Sequence, residues 1–200
     1  FLKTHFKSGI NFNNINNLEQ LAIGKVNVFN CWNEPVKIEF GKEDNKIGEF
    51  AIKSLQKATQ ALKNNAIDVL VTAPINKHNI QSEAFNFPGH TDYLAQELKG
   101  ESLMFMVNNS LRVGLLTDHV PLKDIVEHIS EELITKKIDT VYKSLEKDFK
   151  IRKPKIAVLG INPHTGDNGV IGSEDDAILR PTLSKIKEEG KLVYGPYAAD

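Results

Sequence analysis

Four short segments of the chain combine residue types that bind anions, move protons or hold metal ions. Thr72-Ala73-Pro74-Ile75-Asn76-Lys77 ends in a lysine, a cation suited to a phosphate, a carboxylate or proton transfer, and equally at home as solvated surface charge. In Pro88-Gly89-His90-Thr91-Asp92, Gly89 permits tight backbone geometry and Thr91 or Asp92 can cap a following helix. A helix start there offers free N–H groups to an anion, and His90 exchanges protons near neutral pH. In Thr117-Asp118-His119-Val120-Pro121-Leu122, Asp118 is placed to orient His119 or to neutralise a cation, and Pro121 suits a helix start. The fourth segment runs from Gly160-Ile161-Asn162-Pro163-His164-Thr165-Gly166 through Gly172-Ser173-Glu174-Asp175. Its glycines and His164 read as a loop that approaches a ligand closely. Imidazoles at His119 and His164, completed by a third ligand and a substrate oxygen, would make a divalent metal site. Open coordination positions let such an ion polarise a hydroxyl or carbonyl. His5, His78 and His128 read as incidental or solvated.

These segments need a scaffold that brings them to one edge. Val26–Trp32 and Val36–Phe40 read as short strands around Asn33-Glu34-Pro35. Ile47–Asn64 has helical spacing, with Ile47, Phe50, Ala51, Ser54, Leu55, Ala58, Ala61 and Leu62 along one face. Asp68–Pro74 is an apolar run too short for a helix and suits a strand buried on both faces. Thr91–Leu98 reads as a helix. Leu103–Val107 and Leu111–Thr117 read as strands joined by Asn108-Asn109-Ser110. Pro121–Ile129 and Glu132–Phe149 read as helices, Ile156–Gly160 as a buried strand, Asp175–Glu189 as a helix ended by Gly190, and Lys191–Tyr194 as a short strand. The alternation predicts an α/β fold with a mainly parallel sheet. In such sheets ligands bind where strands end and loops begin, and Lys77, His119 and His164 are expected at such exits.

Composition removes several function classes. The chain has 200 residues with a net charge of −1, so no overall field draws it to nucleic acid or membrane. Cys31 is the single cysteine, which excludes an internal disulfide and a multi-thiolate zinc site and fits a reducing cytoplasm. No apolar run reaches the roughly 20 residues of a membrane span. There is no Gly-x-Gly-x-x-Gly fingerprint, P-loop or Gly-x-Ser-x-Gly elbow. The start at Phe1 and the stop at Asp200 read as cuts, so the natural chain is expected to extend in both directions.

In their order and wording, Val71–Lys77, Pro88–Thr91, Thr117–Leu122, Gly160–Gly166, Gly172–Asp175 and Gly195-Pro196…Ala199-Asp200 resemble the 4-hydroxythreonine-4-phosphate dehydrogenase family of pyridoxal phosphate (vitamin B6) biosynthesis. The resemblance spans about Ile47 to Asp200. It implies a two-lobed α/β/α architecture like that of isocitrate and isopropylmalate dehydrogenases, of which this chain is an interior portion with a lobe boundary near residues 75–90. It implies a cytoplasmic homodimer with active sites at the subunit interface. Its reaction is NAD-linked oxidation, with decarboxylation, of 4-phosphohydroxy-L-threonine to 3-amino-2-oxopropyl phosphate. His90 and Thr91 would contact this phosphorylated small-molecule substrate. His119 and His164 would hold one divalent ion (zinc, magnesium or cobalt) with a third ligand beyond residue 200. Lys77 or Asp118 would assist in charge or proton transfer, and the NAD contacts stay unassigned. Sister enzymes acting on 4-phosphoerythronate or 4-phosphothreonate share these loops, and a naturally short chain would instead be a non-catalytic metal- or phosphate-binding module.

Overall fold

The structure is a computed structural model that describes residues 11–199. Residues 1–10, with His5 among them, and Asp200 lie outside the described residues. The chain divides into two compact units, Phe1–Ser102 and Leu103–Asp200.

In the first unit, strands β1 (Phe12–Ile15) and β2 (Val26–Phe29) pair in parallel, with Phe12 opposite Val26. Helix α1 (Asn45–Lys63) starts at Asp44, whose side chain accepts from the Lys46 N–H at 2.8 Å, the usual work of an aspartate N-cap. Its deepest residues are Gly48, Phe50, Ile52, Leu55 and Thr59. The buried stripe is thus rotated from the expected one, and Ser54 is exposed. Gly48 explains the rotation, because a Cβ there would sit 1.8 Å from the Asn79 carbonyl oxygen. The bare glycine lets the following segment lie directly on the helix. Ile52 and Leu55 meet Ile80, Phe85 and Tyr93, with Leu70, Ile75, Phe87 and Leu94 at the margin. The rings of Phe85, Phe87 and Tyr93 lie 5.2–5.4 Å apart in tilted and edge-on pairs, the preferred aromatic arrangements. Helix α2 spans His90–Glu97.

Two expected strands of this unit are corrected. Val36–Phe40 forms no strand, since no neighbouring ladder stands beside it among the described residues. Asp68–Pro74 is irregular as well. Its apolar alternation is real, but only Leu70 and then Ile75 reach the core, while Val69 and Val71 are 72% and 88% exposed. Burial on both faces would need partner strands at its edges and a packed layer over each face, and the segment joins no ladder among the described residues.

In the second unit, β3 (Phe105–Val107) and β4 (Arg112–Gly114) form an antiparallel hairpin. The Asn108 side chain closes it by accepting from the Ser110 and Leu111 N–H groups at 2.9 and 2.8 Å, an Asx turn. The helix expected at Pro121–Ile129 is instead a 3-10 turn, Leu122–Asp124, followed by a single α-turn, α3 (Ile125–His128). Helix α4 (Glu131–Lys147) is capped by Ser130, which accepts from Leu133 N–H at 3.1 Å. Strand β5 (Lys155–Leu159) runs parallel to β6 (Leu192–Tyr197), and helix α5 (Arg180–Glu188) lies in the crossover. This β–α–β unit buries Ile134 and Ile138 of α4 against Leu183 and Ile186 of α5, Leu179 and Val193. β5 is half-buried rather than fully buried. Ile156 and Val158 pack on this core, while Leu159 is 57% exposed. The α/β class with parallel strands therefore holds: among the described residues there are three two-stranded ladders, two of them parallel and the hairpin antiparallel. No helix among the described residues is long and apolar enough to cross a membrane.

Candidate functional site

The expected residues fall on both units: Lys77, His90 and Thr91 on the first, Asp118, His119 and His164 on the second. Within the first unit, the structure brings Lys77 to the Gly89 loop. The Lys77 Cε atom lies 3.8 Å from where a Gly89 Cβ would be, one residue before α2 begins at His90. Two side chains fix this approach. Asn76 Oδ1 accepts from the His78 and Asn79 N–H groups at 2.9 and 3.0 Å, shaping the turn that carries Lys77. Gln81 then joins the two loops, because its Nε2 donates to the Lys77 carbonyl at 3.1 Å and the Phe87 carbonyl at 2.9 Å. The cap of α2 differs from expectation. Gly89 is the N-cap, no side chain caps the helix, and Asp92 sits in the first turn. His90 and Thr91 are thus the first two helical residues, both half-buried, in the turn whose N–H groups lack helical acceptors.

In the second unit His119 stands five residues beyond the end of β4, exposed, on left-handed backbone with φ 53°. Asp118 is half-buried. His164 stands the same five residues beyond the end of β5 and is also left-handed, with φ 51°. It opens a run of left-handed residues, His164, Thr165, Gly166, Asp167 and Asn168, continued by Gly169. L-residues take this region at about 1–2 kcal/mol each. His, Asp and Asn tolerate it best, and a β-branched threonine is the outlier.

What holds this loop is a carboxylate. Asp175 is fully buried, and its two oxygens accept from the Ile161 and Asn162 backbone N–H groups, each at 2.9 Å. The Asn162 side-chain amide donates to Asp175 at 3.1 Å and to Glu174 at 2.8 Å. Hydrogen bonds from its own backbone N–H and from Asn162 hold the Glu174 carboxyl below the usual carboxylate range. The glycines allow close packing: a Cβ on Gly172 would meet the Asn162 amide at 2.7 Å, and one on Gly166 would meet the Gly172 carbonyl oxygen at 2.3 Å. Asp175 also begins a π-helical turn, Asp175–Leu179, a local widening that recurs at functional sites.

Two neutral imidazoles are the right chemistry for a divalent ion. Among the described residues no three His, Cys, Asp or Glu side chains gather around one point, so this chain's fit to a metal is that of a partial donor set. Sequence reasoning quoted the Asp175 segment without finding its role. It missed Gln81 altogether, because nothing in the spacing marks a glutamine that binds two carbonyls.

Fold and site together define an α/β protein whose Lys77 and His164 lie on loops fixed by side-chain hydrogen bonds from Gln81 and to Asp175. The model of the family described as pyridoxal phosphate biosynthetic protein PdxA matches residues 2–200, and the chain belongs to this family. A 4-hydroxythreonine-4-phosphate dehydrogenase from Bacteroides thetaiotaomicron is 43% identical over 192 residues, which are 95% of this chain and 53% of that protein. One from Sulfurihydrogenibium is 35% identical, covering 93% of this chain and 56% of its own length. The crystal structure of 4-hydroxythreonine-4-phosphate dehydrogenase from Klebsiella pneumoniae superposes with a TM-score of 0.85 at 25% identity, over 98% of this chain and 60% of that one. The chain thus spans about half the length of the curated relatives it matches.

Proposed function

We propose that this chain is part of an NAD-dependent dehydrogenase that oxidises 4-phosphohydroxy-L-threonine, with decarboxylation to 3-amino-2-oxopropyl phosphate, in pyridoxal phosphate biosynthesis. The observation that carries the reading is the family match over residues 2–200, which takes in every loop singled out for its chemistry. The geometry adds support in the first unit, where Lys77 is held beside Gly89 and the start of α2. His90 and Thr91 bind the substrate there, using side chains and the open N–H groups of the first helical turn. Lys77 supplies positive charge to an anionic group of the substrate or takes part in proton transfer, with Asp118 the second candidate for that role.

His119 and His164 would hold a divalent ion, zinc, magnesium or cobalt, with a third ligand from beyond residue 200. Such an ion supplies Lewis-acid polarisation of a substrate oxygen. The chain's own part is to present each imidazole from a loop tip. The working enzyme is a cytoplasmic homodimer of two-lobed subunits, like the isocitrate and isopropylmalate dehydrogenases, with the active site at the subunit interface.

The test is NADH formation by the native-length protein with 4-phosphohydroxy-L-threonine, with and without a chelator. Turnover that the chelator abolishes and added metal restores is the expected result. Turnover on 4-phosphoerythronate or 4-phosphothreonate alone would move the assignment to a sister activity, and His119→Ala with full metal-dependent turnover would overturn the metal role.

A further inference from the structure

We propose that Asp175 is the positioning residue for His164: it anchors the start of the loop on which the imidazole is carried, so that the protein has a preformed metal donor there. The inference rests on His164 being a metal ligand. Asp175 acts through the main chain, by way of the Ile161 and Asn162 N–H groups. The run of left-handed residues from His164 is unfavourable for free L-residues, so left to itself the segment would relax and the imidazole would move with it. The first two residues after Gly160 are tied to a fully buried carboxylate. The Thr165 N–H closes back onto the Asn162 carbonyl at 3.1 Å, and the Ile171 N–H onto the Gly166 carbonyl at 3.0 Å. The loop's entry and its first internal bond thus both converge on Asn162, which Asp175 holds by two bonds. Gly160 leaves room for this: a Cβ there would stand 3.1 Å from an Asp175 oxygen and 2.8 Å from the Thr165 methyl. Because Asp175 lies at the head of the π-turn leading into α5, whose Leu183 and Ile186 are core residues, the loop is referenced to the rigid part of the unit.

Asparagine at 175 keeps the size but turns one acceptor into a donor that faces the N–H groups of the loop. Groups that orient metal ligands typically contribute about 10–100-fold to metal affinity, and the expected effect here is at the lower end, roughly tenfold. The experiment is cobalt(II) titration of the native-length protein, wild type, Asp175→Asn and His164→Ala, read by the visible d–d absorption, with circular dichroism alongside. The expected result is about tenfold weaker cobalt binding in Asp175→Asn and, at saturation, a spectrum that returns to the wild-type shape, because the ligands are unchanged. His164→Ala should give a different spectrum at any concentration. Cobalt binding by His164→Ala that matches wild type in affinity and spectrum would remove the metal role of His164, and this inference with it. An altered spectrum in His164→Ala with wild-type affinity in Asp175→Asn would overturn the inference alone. Should Asp175→Asn fail to fold, Asn162→Ala decides: it removes one bond to Asp175 and the tie to Glu174, a cobalt affinity lowered several-fold supports the inference, and an unchanged one overturns it.

Discussion

Replacing Gln81 with glutamate should loosen the loop pair that carries Lys77 and His90, although the two side chains have nearly the same shape. The Gln81 amide has two protons and two carbonyl partners, at 3.1 and 2.9 Å. Glutamate offers only acceptors, so both bonds are lost and its charge would face two carbonyl oxygens until the side chain swings into water. A net hydrogen bond contributes about 0.5–1.5 kcal/mol. Gln81 is exposed, which places each bond toward the lower half of that range and the pair at about 1–2 kcal/mol. The loss falls on the local opening of the 77–91 segment, where one or two kcal/mol is a factor of roughly 5–30. Amide hydrogen exchange over Lys77–Thr91 should accelerate by that factor, while α4 and α5 of the other unit keep their protection. In the native-length enzyme the KM for the phosphorylated substrate should rise, because the residues proposed to bind it are less organised. Gln81→Glu with wild-type exchange in this segment would refute the reasoning, since no other donor is available to those two carbonyls from this side chain.

Phe85 is fully buried in the aromatic cluster, and Phe85→Ala should cost about 3–5 kcal/mol, read as a lowered denaturant midpoint. Glu174 has its carboxyl held below the usual 4.5 by its own backbone N–H and by Asn162. The stability it contributes is complete above that unfolded-state value and is lost as pH falls through the lower folded-state value. Thermal stability followed downward from pH 6 should therefore fall less steeply in Glu174→Gln than in wild type below about 4.5, and identical acid limbs would contradict the assignment.

The sequence was most legible where hydrophobic spacing and local turn chemistry agreed. Helices α1 and α4 came within two residues at each end because each has a regular apolar stripe, and the structure places their starts at the Asp44 and Ser130 caps, which the spacing had not marked. The Asn108 hairpin was legible for the same reason. Failures came where an element's state depends on a distant neighbour. Val69 and Val71 have a strand's composition, but a strand exists only beside a partner, and their exposure shows that none covers them among the described residues. Lys77, His90, His119 and His164 are candidates named from residue types alone, whereas the atoms that fix the Lys77 and His164 loops, Gln81 Nε2 and the Asp175 oxygens, bind backbone groups that leave no trace in spacing.

That division has a physical root. Repeated ladder bonds fix a strand, so its position is a property of many residues and tolerates single changes. The site loops are fixed by single side chains bonding main-chain groups: Asn76 for the Lys77 turn, Gln81 for its link to the Gly89 loop, Asp175 for the His164 loop. The Asn76 and Gln81 links can each be lost at one position, at about the strength of one or two hydrogen bonds, whereas loss of the fully buried Asp175 leaves three donors unpaired and costs more. Loops held this way belong to the lower-stability part of a protein, where ligand binding can add order. A substitution at the exposed Gln81 should therefore weaken substrate binding more than it lowers global stability, whereas substitutions at Phe85 or Ile134 should do the reverse.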